Sequence, residues 1–65
     1  MAKQDLKQYV EKRITTLLLD LQYAEMTESL MIQSSIRELL DLASQFEIKT
    51  KDALNSHPLG NKFKK

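Results

Sequence analysis

Cysteine is absent from this chain, and glycine and proline occur once each, at Gly60 and Pro58. No disulfide can form, and a single histidine cannot build a structural zinc site. With one glycine there is no glycine-rich loop to cradle a phosphate. No Asn-Gly or Asp-Gly pair marks a hairpin turn, and no stretch alternates apolar with polar residues, so strands are not expected. The longest apolar runs reach only three residues, as in Leu17–Leu19, far short of a membrane span. The segment MAKQDLKQ has no apolar region behind its lysine, so a cytoplasmic protein is expected. No cofactor and no membrane partner is expected.

Sixty-five residues make one small domain. Chains this short bury a low fraction of their surface and usually need a staple. With disulfides and zinc excluded, self-association is the staple that remains.

What is present is a helix-forming composition. Leu, Lys, Gln, Glu and Ala dominate, and all favour helix. At 100° per residue, Leu6, Val10, Ile14, Leu17, Leu21 and Ala24 fall within about 80° of one another, and Leu18 widens one edge. This predicts an amphipathic helix over about residues 5–25. Asp5 stands at its start, with Gln8 at the capping-box spacing. A second stripe, Ile32, Ile36, Leu39, Ala43 and Phe46, predicts a helix over about 28–54, with Thr50, Ala53 and Leu54 on the same face.

The join between the stripes decides the architecture. Extending the first heptad register places Glu28, Met31, Ser35 and Glu38 on the seam, mostly wrong for a coiled coil. The second stripe is out of register by one residue. Thr27 is a candidate cap for a new helix, with Met26 and Met31 at the spacing of a hydrophobic staple. The expected fold is all-α: a helical hairpin over residues 1–55 that dimerises into a four-helix bundle, followed by a flexible basic tail over 56–65. The alternative is a long two-stranded coiled coil. The expected dimer or hairpin core is Leu6, Val10, Ile14, Leu17, Leu21, Ile32, Ile36, Leu39, Ala43 and Phe46.

Net charge is +1, but its distribution is uneven. Residues 14–48 carry −5, residues 1–13 carry +2 and residues 49–65 carry +4. An acidic body with basic ends reads first as a soluble surface. The basic ends also make nucleic acid a second candidate partner, with Lys62, Phe63, Lys64 and Lys65 as candidate contacts.

No catalytic constellation stands out. His57 precedes a proline in a polar segment and reads as a solvated side chain. The pairs Glu25/Glu28 and Glu38/Asp41 share helix faces without any pocket-forming residues nearby, so they read as solvated carboxylates. Residues outside the stripes are more informative. Leu19, Tyr23 and Met26 fall opposite the first stripe, and Leu30 and Ile48 fall opposite the second. Clustered apolar residues behind a core face indicate a second contact surface. Leu19, Tyr23 and Met26 are therefore the candidate partner surface. The expected function is that of a small, non-enzymatic regulatory protein of adaptor, antirepressor or inhibitor type. It would act by protein–protein contact as a homodimer. The alternative is a small dimeric nucleic-acid-binding regulator that uses the basic residues at both ends.

Overall fold

The computed structural model of the chain describes residues 3–64. It contains three α-helices, α1 (Lys3–Tyr23), α2 (Met26–Gln45) and α3 (Lys51–Asn55), followed by a 3₁₀ segment, Pro58–Phe63. There is no strand among the described residues. α1 and α2 pack against each other as a helical hairpin, and α3 and the 3₁₀ segment both pack on α1. The molecule measures 36 × 19 × 18 Å. At 1.5 Å per residue a single helix of α1's length nearly accounts for the long dimension. The alternative of one continuous helix is therefore overturned.

The hairpin turn is Ala24–Glu25, two residues without glycine or proline. The Ala24 N–H donates to the Leu21 carbonyl at 3.3 Å and tightens the last turn of α1. Glu25 then takes an extended conformation (φ −74°, ψ 169°) as the N-cap of α2, and its carbonyl accepts from the Ser29 N–H at 2.7 Å. Neither linking residue needs positive φ. That is why no glycine marks the turn. The proposed cap at Thr27 gives way to Glu25, and Thr27 lies inside the first turn. The proposed staple does not form as a packed pair, because Met26 and Met31 are both exposed. Asp5 falls within the first turn of α1, where its charge suits the helix dipole.

α2 stops at Gln45, nine residues before the boundary expected from periodicity. The stop is a Schellman motif. Glu47 adopts a left-handed conformation (φ 57°). Its N–H donates to the Ser44 carbonyl at 3.1 Å, and the Ile48 N–H donates to the Ala43 carbonyl at 2.8 Å. Ala43 and Ile48 are both buried, which supplies the apolar contact of that motif. The consequence is two reversals of the sequence reading. Phe46, placed in the core by helical phase, becomes the C-cap and is 51% exposed. Ile48, placed on the outer face by the same phase, is buried. Once the chain leaves the helix, the 100° step no longer applies.

From Ile48 the chain returns along α1. Buried Ala53 and Leu54 on α3 face inward. His57 is extended, as expected for a residue before proline, and Pro58 occupies the first position of the 3₁₀ segment. Where the sequence suggested a flexible tail, residues 58–63 are wound and docked, with Leu59 and Phe63 packed against the core.

The core is Val10, Ile14, Leu17, Leu18 and Leu21 from α1, Ile36 and Ala43 from α2, and Ile48, Ala53 and Leu54 from the returning segment. Of the other expected core positions, Leu6, Ile32 and Leu39 are half-buried. Leu18, which the periodicity placed at the edge of the stripe, is fully buried. α1 is covered from two directions, so its buried arc is wider than one partner helix would give.

Candidate interaction surfaces

Two surfaces stand out once the fold is in place. The first is apolar and lies at the closed end of the hairpin. Leu19 and Tyr23 sit one turn apart near the end of α1, and Met26 and Leu30 sit one turn apart at the start of α2. Only Ala24 and Glu25 separate the two pairs, and Met31 follows directly. Tyr23 is 81% exposed and Met26 83%, and Leu19, Leu30 and Met31 are exposed too. Leu19, Tyr23 and Met26 are the three residues that the sequence singled out. Leu30 was recognised as lying behind its stripe, and it stands one helical turn after Met26 at the start of α2. Met31 was assigned to a staple instead. A single exposed apolar residue needs no explanation, but five of the seven exposed large apolar side chains among the described residues fall within residues 19–31, around the closed end of the hairpin.

α2 is also incompletely covered along its length. Only Ile36 and Ala43 of its residues are fully buried, while Ile32, Leu39 and Leu40 remain half-buried. α2 thus keeps apolar surface that the rest of the chain covers only in part.

The second surface is a basic groove of about 1120 Å³ between the C-terminal half of α2, α3 and the end of the 3₁₀ segment. Arg37, Lys49, Lys51, Lys62 and Lys64 line it, against two acids, Asp41 and Glu47. Leu40, Leu54 and Phe63 supply apolar walls. The Arg37 guanidinium lies over the Phe63 ring, 6.0 Å from its centroid, within cation–π range. Lys64 donates to the Asn55 side-chain carbonyl. The fold thus adds Arg37, Lys49 and Lys51 to the sequence candidates Lys62, Phe63 and Lys64. Lys65 lies outside the described residues. Sequence reasoning missed Arg37 because it sits in the acidic middle of the chain, and only the docked 3₁₀ segment brings it beside the lysines. A smaller recess of about 580 Å³ near the start of α1 is lined by Lys7 and Lys49 against Glu11 and Glu47. Its charges balance, so it has no preference for an ion of either sign.

His57 is not the solvated side chain expected. Its Nδ1 accepts from the Leu59 N–H at 3.1 Å. A backbone N–H can only donate, so the neutral ring carries its proton on Nε2, which donates to Gln22 Oε1 at 2.9 Å. The imidazole thereby ties the start of the 3₁₀ segment to the end of α1. With both ring nitrogens occupied by structural partners, His57 is a clasp. The carboxylates Glu25, Glu28, Glu38 and Asp41 are all exposed. No group of three or more potential metal ligands occurs among the described residues, and no described helix is long and apolar enough to cross a membrane.

No protein-family model matches the chain, and no curated protein or solved structure shows significant similarity to it.

Proposed function

We propose that this chain is a small non-enzymatic regulatory protein that works by protein–protein contact as a homodimer, two hairpins pairing into a four-helix bundle. The observation that carries this reading is the exposed apolar end formed by Leu19, Tyr23, Met26, Leu30 and Met31. Water contact at these side chains is unfavourable by roughly 25 cal/mol per Å² of apolar surface, so covering them drives association. Aromatic and methionine side chains are also the types enriched at interface centres. The half-buried Ile32, Leu39 and Leu40 on α2 give a second hairpin further surface to pack against. An isologous pairing places the same patch on both copies and closes the assembly at two. Regulation by such a protein is steric: the dimer occupies a surface on its target and carries out no chemistry.

The test is Leu19→Asp combined with Tyr23→Asp, measured by sedimentation equilibrium. Both side chains are exposed, so the hairpin keeps its helical circular dichroism. The unaltered chain is expected to sediment as a dimer and the variant as a 7.6 kDa monomer. An unaltered chain that stays monomeric at every concentration defeats the proposal.

A further inference from the structure

We propose that the groove between α2, α3 and the 3₁₀ segment binds single-stranded nucleic acid through its phosphate backbone, with little regard for sequence. This does not rest on dimerisation, because the groove lies within one copy. Five cations face two acids there, although the chain as a whole is nearly neutral. Arg37 comes from the acidic body, and folding gathers it with Lys49, Lys51, Lys62 and Lys64 of the basic end. Lysine is a flexible point charge and suits phosphates repeated along a strand.

The apolar walls distinguish a nucleic acid from a plain polyanion. The Arg37 guanidinium, 6.0 Å from the Phe63 ring centroid, places a planar cation beside an aromatic ring at the groove. Unpaired bases stack on such guanidinium planes and on aromatic rings, whereas the side chains of an acidic peptide have no matching π-face. No asparagine or glutamine lines the groove. The amide side chains that read adenine edges are therefore missing, and stacking at Arg37 and Phe63, which accepts the face of any base, favours binding with little sequence preference. A duplex would bury its bases away from the Arg37 platform, so the single strand is the better occupant.

The experiment is fluorescence anisotropy of labelled oligo(dT) and oligo(U) titrated with the full chain at several salt concentrations. Five phosphate contacts give a slope of about −3.5 for log affinity against log salt, or roughly 100-fold weakening between 50 and 200 mM. Lys62→Gln combined with Lys64→Gln removes two contacts. Both residues are exposed, so helicity is retained, while the slope falls to about −2.1 and the weakening to roughly 20-fold. Arg37→Lys keeps the charge but removes the plane. It is expected to leave the slope unchanged and reduce affinity about fivefold or more. Lys12→Gln combined with Arg13→Gln, outside the groove, controls for net charge and should alter the slope by less than one contact's share. Equal loss in that control overturns the groove as the site. Equal or tighter binding of a polyglutamate peptide overturns nucleic acid as the occupant. Absence of binding at low salt overturns both.

Discussion

Replacing Gly60 with alanine should undock the C-terminal segment. Gly60 is buried, and a Cβ built there would stand 1.9 Å from the Leu54 carbonyl oxygen, 2.7 Å from its carbon and 2.9 Å from its Cα. All three are backbone atoms, so no rotamer change relieves the clash. Restoring ordinary van der Waals separation moves the 3₁₀ segment away from α3 by about 1.5 Å. Gly60 has no positive φ, so close approach is what requires glycine here. Overpacking of this kind costs about 1–3 kcal/mol. Undocking sets a ceiling on the loss. Leu59 and Phe63 are half-buried, and at roughly half the value of full burial they contribute about 2–3 kcal/mol together. Alanine also restricts the unfolded chain, which offsets about 0.4–1 kcal/mol. The expected net loss is therefore about 1–2 kcal/mol, and a domain this size loses roughly 4–8 °C of Tm per kcal/mol. Thermal unfolding by circular dichroism reads the global effect. Amide hydrogen exchange at Gly60, whose N–H bonds to the His57 carbonyl at 2.9 Å, reads the local one. An alanine variant with unchanged Tm and unchanged protection at that amide would refute the packing described here.

Glu47→Gly should stabilise the fold by up to about 1 kcal/mol, because a left-handed residue with a side chain carries strain of roughly 1–2 kcal/mol that glycine relieves, less the entropy that glycine adds to the unfolded chain; urea denaturation measures it, and a net loss would contradict the cap assignment. Leu18→Ala should cost about 2–5 kcal/mol and Phe46→Ala, half exposed, only about 1 kcal/mol, the reverse of the order that helical phase implies; equal losses in chemical denaturation would place Phe46 in the core after all. His57→Ala should cost about 1 kcal/mol and raise amide exchange at Leu59, which loses its acceptor; unaltered exchange there would remove the clasp.

The parts of the fold that depend on local pattern were legible in the sequence. The two apolar stripes gave α1 and the body of α2, and the one-residue slip between them gave the hairpin. What was not legible is where helical phase stops. Glu47 caps α2 without the glycine that normally announces such a turn, so Phe46 and Ile48 were assigned to the wrong sides. Leu18 was undervalued because α1 packs against α3 and the 3₁₀ segment as well as α2, which periodicity within α1 cannot see. Gly60 carried a signal in hindsight: the only glycine in the chain stands where two backbones meet. At the surfaces, the exposed set of Leu19, Tyr23 and Met26 follows from phase within α1 and the adjacent turn. The basic groove does not, because Arg37 joins the lysines only through the docking of the 3₁₀ segment.

The central claim is that a second copy covers the closed end of the hairpin. It is tested most directly by isotope-filtered nuclear Overhauser spectroscopy on a mixture of labelled and unlabelled chains. Contacts between copies are expected from the Met26 methyl group to Leu19 and Tyr23. A dimer whose inter-copy contacts instead run through Phe46 or the basic groove, or a sample with no inter-copy contacts at all, would contradict it.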